Sequence, residues 1–275
     1  MKNLLIAGGD RRALLLAELL NEDGFAVQTV GLKAGDEETF CPEMAHALLL
    51  PYPFSVKNGR IPTMTDVHIT PNEIITKLPQ DACILAGSGV ETSMLFETQK
   101  MKHYADADGF AEANAEISAE AGVFEAMLRS QRTLQGLRML VTGYGLFGRA
   151  LAKKLAALGA QVWVAVRREE QRTQAEKDGM NAVLLVQLRE ILPQMEMVIN
   201  TVPAHILNED LLKLIPSNCP VLEMASAPYG FDIEQAKAMG LSVSVLPSLP
   251  AAYAPLSAAQ VLKRAALELL RGCSV

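Results

Sequence analysis

Residues Met139 to Arg168 read MLVTGYGLFGRALAKKLAALGAQVWVAVRR, and no other stretch restricts the possible folds of this chain so tightly. An apolar run, Arg138 to Thr142, reads as a buried strand that delivers the chain into Gly143-x-Gly145-x-x-Gly148. A helix follows with Leu151, Leu155 and Leu158 on one stripe, and a second strand, Gln161 to Val166, comes after Gly159. In this setting the first glycine permits a tight turn. The second lets backbone N–H groups approach a pyrophosphate, and the third lets helix and strand pack closely. The helix N-terminus turns its partial positive charge toward the phosphates. The strand–loop–helix context makes Gly143, Gly145, Leu146, Phe147 and Gly148 the expected dinucleotide-binding loop.

The tip of the second strand refines the cofactor. An NAD site usually sets an acid about 20 residues on, against the ribose 2′-hydroxyl. Here the strand ends in Arg167 and Arg168, with no acid at its tip. A guanidinium pairs well with a 2′-phosphate, so NADP is the expected cofactor, with NAD the alternative.

Composition narrows the class. A chain of 275 residues that is 50% hydrophobic can bury one large or two medium cores. A formal charge of −6 argues against a nucleic-acid-binding surface. No apolar stretch approaches the ~18 residues that span a bilayer, and the N-terminal run is too short for a signal peptide. Cys41, Cys83, Cys219 and Cys273 are scattered without a C-x-x-C pair. Buried free thiols in a reducing cytoplasm are therefore expected, with no disulfide framework and no metal site.

Alternating signals run through both halves. In the second, helices over Glu169–Asp178, Leu188–Leu192, Glu209–Leu214 (with Asn208 as N-cap) and Ile233–Met239 alternate with strands over Ala182–Leu185, Met195–Thr201, Val221–Ala225 and Ser242–Leu246. That is a parallel sheet of about six strands. The first half has strands over Asn3–Ala7, Phe25–Val30, Ala47–Leu50, Ala82–Ala86 and His103–Ala105, a helix over Arg11–Leu20, and a long proline-containing loop from Pro51 to Pro71. Helices over Ala111–Leu134 and Pro255–Leu270 bracket the nucleotide domain. The expected fold is α/β: two Rossmann-like doubly wound domains joined by long crossing helices, with a cleft between them. Residues 1–113 form the substrate domain, 114–134 the crossing helix, 135–253 the NAD(P)-binding domain, and 254–275 a helix returning to the first domain.

Several segments beyond the glycine loop resemble one family, the A subunit of dipicolinate synthase from endospore-forming bacteria. They are Gly8-Gly9-Asp10-Arg11-Arg12, Asn114-Ala115-Glu116-Ile117-Ser118-Ala119-Glu120, Ile199-Asn200-Thr201-Val202-Pro203-Ala204, Ala225-Ser226-Ala227-Pro228-Tyr229-Gly230-Phe231-Asp232, and Leu246-Pro247-Ser248-Leu249-Pro250 with Ala254-Pro255 beyond. The resemblance implies oxidation of a dihydrodipicolinate-pathway intermediate to pyridine-2,6-dicarboxylate, with NADP as hydride acceptor. It also implies a partner, the flavoprotein-like B subunit of the synthase. The implied setting is the cytoplasm of the mother cell during sporulation.

That chemistry needs a hydride acceptor, a proton acceptor and groups for two carboxylates. Arg11 and Arg12 at a helix start suit carboxylates, or are surface charges on that helix. Ser88 and Gly89, after the Cys83–Ala86 strand, and Ser118 are further substrate candidates, each equally readable as a turn or capping residue. Asn200, Thr201, Val202 and Pro203, at a strand end, and Ser226, after the next strand, are expected to line the cofactor. No residue stands out as the base; His205 and Glu120 are the candidates, with Asp232 a further acid, and each has an ordinary structural reading. Another NADP dehydrogenase of the hydroxyacid or shikimate type is the rival function. A further rival is a cofactor-binding protein that works only together with its partner. The Ala- and Met-rich helix Ala111–Met127 allows a homo-oligomer face.

Overall fold

The computed structural model of the protein describes residues 2–54, 60–87, 100–271 and 273. The chain divides into two compact units, Met1–Asn114 with Ala254–Val275, and Ala115–Tyr253.

The first unit begins with β1 (Asn3–Ala7), α1 (Arg11–Glu22), β2 (Ala26–Val30), β3 (Ala47–Leu49), α2 (Pro71–Ile75), β4 (Cys83–Ala86) and β5 (Lys100–His103). Its five strands are parallel and stand in the order β2-β1-β3-β4-β5, the flavodoxin-like arrangement. β3 (ALL) and β4 (CILA) are apolar throughout and wholly buried, as strands covered on both faces must be. Helix α1 starts where the Asp10 side chain accepts the Arg12 backbone N–H, and it buries Ala13, Leu16, Ala17 and Leu20 along one stripe.

Between β3 and α2 the described residues form no regular helix or strand beyond one bridge at Arg60. The stretch is tied to the carboxyl ends of β1 and β2: Gly9 N–H donates to the Pro62 carbonyl at 2.7 Å, and Met64 N–H to the Gly31 carbonyl at 2.8 Å. The last strand lies at Lys100–His103, earlier than His103–Ala105, because Tyr104–Asp106 tightens into a 3₁₀ turn that buries Tyr104.

Helix α3 (Phe110–Ser130) carries the chain into the second unit. It ends at Ser130, short of the expected Leu134, because Gln131 takes the left-handed conformation (φ 51°), which an α-helix cannot continue. The second unit then alternates as β6 (Arg138–Thr142), α4 (Leu146–Ala157), β7 (Gln161–Val166), α5 (Glu169–Lys177), β8 (Asn181–Leu184), α6 (Leu188–Ile191), β9 (Met197–Asn200), α7 (Glu209–Leu212), β10 (Val221–Glu223), α8 (Ile233–Ala238), β11 (Val243–Val245) and α9 (Leu249–Tyr253). Its six parallel strands follow the order β11-β10-β9-β6-β7-β8, the Rossmann arrangement. The order reverses between β6 and β9, and in open sheets of this kind the carboxyl ends on either side of such a reversal are where ligands bind.

Helix α10 (Pro255–Arg271) belongs to the first unit and packs on α1, burying Ala258, Ala259, Leu262, Ala265, Ala266, Leu269 and Leu270 at helical spacing. Each leucine so buried contributes about 1.5–3 kcal/mol. At the end of α10 the cysteine expectation needs correcting. Cys273 is disulfide-bonded to Cys83 on β4, 190 residues away. Cys41 is a free thiol at the surface rather than in the core, while Cys219 is buried and its thiol is pushed up to about 12 by that burial. Pairing across so long a separation depends on α10 returning to β4, which leaves no local spacing signal.

Candidate functional site

The glycine loop of the second unit meets the geometric demands of a pyrophosphate cradle, glycine by glycine. Gly143 takes φ +87°, and a Cβ there would lie 2.7 Å from Val202 Cγ2, so the turn admits no side chain. Gly145 heads α4 at φ −77°, is exposed, and a Cβ on it would meet nothing within 4 Å. That open space is where an anion can reach the backbone. At Gly148 a Cβ would stand 2.5 Å from the Gly143 carbonyl oxygen and 2.9 Å from Thr201 Oγ1, so α4 packs against the turn only because the side chain is missing. A twelve-residue helix with its free N–H groups behind the open glycine is a ready anion site. Leu146 is exposed beside it, and Phe147 packs partly into the core.

The loop is braced from outside. The carboxylate of Asp178, at the end of α5, accepts the Tyr144 hydroxyl at 2.8 Å and Arg149 Nε at 2.7 Å, with Lys153 Nζ at 3.1 Å. Arg149 above all, then Tyr144, hold this carboxyl far below its ordinary range. Burial and then the Asp178 bond push the Tyr144 phenol up. Arg149, next to the third glycine, is therefore engaged with protein rather than facing a phosphate.

Across the switch point, three strand ends present one buried polar row. Thr142 on β6, Asn200 on β9 and Glu223 on β10 are register partners, and all three residues are fully buried. Thr142 Oγ1 donates to Asn200 Oδ1 at 2.5 Å, and Asn200 Nδ2 donates to both Glu223 oxygens at 2.7 and 2.9 Å. The Glu223 carboxylate also accepts the N–H groups of Ala225 and Gly230, at 2.8 and 2.9 Å. Burial pushes its carboxyl above the ordinary range, against the N–H donations that favour the charge.

The remaining cofactor candidates surround this row. Thr201 Oγ1 donates to the Thr142 carbonyl at 2.6 Å, the Val202 N–H to Asn200 Oδ1 at 3.1 Å, and Pro203 is exposed just beyond. Ser226 is exposed in the loop that Glu223 holds. Arg167 and Arg168 follow β7 directly; both are exposed, and among the described residues neither guanidinium has a protein partner.

Of the candidates for the proton acceptor, His205 is exposed shortly after β9. Glu120 sits in a surface ion pair with Lys154 at 3.6 Å, and Asp232 caps α8 by accepting the Gln235 N–H. Ser118 is buried on α3 and is engaged with the protein.

In the first unit the order reverses between β1 and β3, and the Gly8-Gly9-Asp10 turn stands at that point. Arg12 is buried there and grips Asp10 through Nε (3.0 Å) and Nη2 (2.7 Å). Burial works against the Asp10 charge, but the Arg12 guanidinium and backbone N–H outweigh it and hold the carboxyl below its usual range. Leu50, Pro51, Tyr52 and Tyr104 complete a narrow crevice around the pair. Arg11 is exposed with no protein partner among the described residues, so it and not Arg12 offers an uncommitted guanidinium. Ser88 and Gly89 lie outside the described residues.

Glu223, Tyr144 and Asp178 were not singled out from sequence. A glutamate inside VLEMA was the available signal for the first, since a charge amid strand-forming apolar residues implies a partnered buried group. The pairing of Asp178 with the glycine loop had no comparable local sign.

Residues 3–102 match the family model of the N-terminal domain of the dipicolinate synthase A subunit, and residues 104–228 that of the NAD-binding domain of D-isomer specific 2-hydroxyacid dehydrogenases. The A subunit of dipicolinate synthase from Bacillus subtilis (strain 168) is 25% identical over 284 residues, covering 97% of this chain and 95% of the relative. The crystal structure of the A subunit of dipicolinate synthase from Bacillus halodurans superposes with a TM-score of 0.89 at 26% identity, over 98% of this chain and 97% of that one. Salmonella D-lactate dehydrogenase shares the fold, with a TM-score of 0.65 at 13% identity over 100% of this chain and 98% of that chain.

Proposed function

We propose that this chain, an NAD(P)-dependent oxidoreductase similar to the A subunit of dipicolinate synthase over 97% of its length, carries out an NADP-linked oxidation of a dihydrodipicolinate-pathway intermediate to pyridine-2,6-dicarboxylate. The observation that carries the reading is the union, in one chain, of an N-terminal domain of this type with a complete dinucleotide cradle. A bound nicotinamide supplies the hydride acceptor. The chain's own residues supply binding and orientation.

Gly143, Gly145 and Gly148 let the backbone approach the pyrophosphate, and the head of α4 adds its N–H groups. Arg167 and Arg168 support NADP over NAD, because two guanidinium groups at the end of β7, without a partner among the described residues, suit a 2′-phosphate and repel nothing in it. Asn200 to Pro203 and Ser226 line the nicotinamide side of the crevice in this reading. For the substrate, the exposed Arg11 at the start of α1 takes a carboxylate, with the Arg12–Asp10 pair fixing the shape of the crevice beside it. His205 is the candidate proton acceptor, as Glu120 already pairs with Lys154.

As one component of a synthase the protein works with a partner, which we take to be a flavoprotein-like B subunit in the mother-cell cytoplasm of a sporulating bacterium. In a second reading the chain binds the cofactor but turns over only within that complex. The exposed and isolated position of His205 favours it.

The test is calorimetric and thermal titration of the purified chain with NADP and NAD, dipicolinate added second, followed by turnover with and without the partner. A ligand that binds the folded state raises its melting temperature. NADP binding tighter than NAD, with a further rise from dipicolinate, supports the proposal. Binding of neither nucleotide overturns it, and turnover only with the partner favours the second reading.

A further inference from the structure

Glu223 is a buried carboxylate whose hydrogen-bond partners among the described residues are all N–H donors. Asn200 Nδ2 serves both oxygens, Ala225 N–H serves one and Gly230 N–H the other. A protonated carboxyl would point its O–H at groups that only donate, so the arrangement requires the ionised form. Asn200 cannot turn its oxygen toward Glu223, because that oxygen already accepts Thr142 Oγ1 and the Val202 N–H. Among the described residues no cation pairs with Glu223. An unpaired charge held inside a protein is costly and is retained where it acts on something.

Its position says on what. A doubly wound sheet of this order is made of two mononucleotide-binding halves. The glycine loop after β6 and the arginines after β7 mark the adenosine half. The other half, over the ends of β9 and β10, is left for the nicotinamide. Glu223 is the last residue of β10 and the register partner of Asn200, the last residue of β9. Neighbouring strands stand about 4.8 Å apart, so a ring over these ends lies within roughly 10 Å of the carboxylate. The oxidised nicotinamide ring carries a positive charge and the reduced ring carries none.

We propose that Glu223 makes the nucleotide site selective for the oxidised nicotinamide, acting through the field of its buried charge at the end of β10. The proposal rests on the dinucleotide reading above. Two opposite unit charges about 10 Å apart, in surroundings of intermediate polarity, shift a binding equilibrium by on the order of tenfold. Such a preference serves an enzyme that takes hydride from its substrate, since the reduced product is released more readily than the oxidised cofactor.

The test compares the dissociation constants of NADP⁺, NADPH and 2′-phospho-ADP-ribose, which lacks the nicotinamide, for the whole wild-type chain and for Glu223→Gln. The wild type is expected to hold the oxidised form more tightly. In the variant the ratio of the two constants falls by on the order of tenfold while 2′-phospho-ADP-ribose binds as before. Damage to the fold weakens all three ligands by a common factor that cancels in the ratio, so the loss of the charge is read from the ratio alone. An unchanged ratio in a variant that binds both forms overturns the proposal. So does a wild type that prefers NADPH, which decides the matter even if the variant does not fold. A wild type that binds none of the three overturns the dinucleotide reading itself, a result distinct from the other two.

Discussion

Alanine at Gly145 and alanine at Gly148 test different demands of one loop, and the two variants should fail in opposite ways. Gly145 has φ −77° and ψ −171°, a conformation open to any residue, and its added Cβ meets nothing within 4 Å. The new methyl narrows the unfolded ensemble by about 0.4–1 kcal/mol. Alanine is the poorer residue at a helix N-cap, which costs a similar amount, on the order of 0.5–1 kcal/mol. The two offset, so stability stays within about 0.5 kcal/mol and the melting temperature within about 2 °C.

The same methyl occupies the space through which a phosphate oxygen reaches the backbone N–H groups. Losing that approach should raise the nucleotide dissociation constant at least tenfold, or about 1.4 kcal/mol. At Gly148 the methyl instead lies 2.5 Å from a backbone oxygen that cannot turn aside. Overpacking of this kind costs about 1–3 kcal/mol and lowers the melting temperature by several degrees. Calorimetric titration with NADP and NAD, beside thermal unfolding of each variant, reads both quantities. Unchanged nucleotide affinity in Gly145→Ala refutes the assignment of the pyrophosphate to this loop.

Gly230→Ala should destabilise the second unit by about 1–3 kcal/mol, because its Cβ would fall 2.4 to 2.7 Å from the Asn200 amide, which is itself pinned; chemical denaturation measures the loss. Arg167→Ala and Arg168→Ala should each weaken NADP binding by up to about tenfold with NAD affinity little changed. An equal loss for both nucleotides would assign these arginines to structure instead. Asp36 accepts the N–H groups of Gly31, Leu32 and Lys33 and the Thr29 hydroxyl. Burial opposes its charge, but these donors outweigh it and hold the carboxyl below its usual range. Its contribution is therefore complete above the ordinary aspartate value of about 4 and is lost as the pH falls through the folded-state value. Asp36→Asn should flatten that acid limb of the melting curve against pH, and an unaltered limb would refute the assignment.

What the amino-acid order determined is whatever nearby residues decide among themselves. The apolar run into Gly143, the glycine spacing and the buried Leu151 and Leu155 of α4 act over short stretches, and strand, turn and helix were legible there; Leu158, expected on the same stripe, caps the helix and is exposed. Asn208 was legible as a cap because its side chain bonds the Leu211 N–H three residues on. The two parallel sheets followed from alternating strands and helices, which parallel pairing requires.

Only the tertiary structure decided which distant groups meet. Burial turned Arg12 inward onto Asp10 and left Arg11 exposed, although both stand at the same helix start. The return of α10 brought Cys273 to Cys83, and the end of α5 brought Asp178 to Tyr144. Above all, parallel pairing aligned Thr142, Asn200 and Glu223, which lie far apart in the chain, into one buried row. Patterns along a chain report the period of an element and the identity of its neighbours in sequence. Register between strands, and the desolvation that gives a buried carboxylate its reach, arise only once separate elements close over the same space.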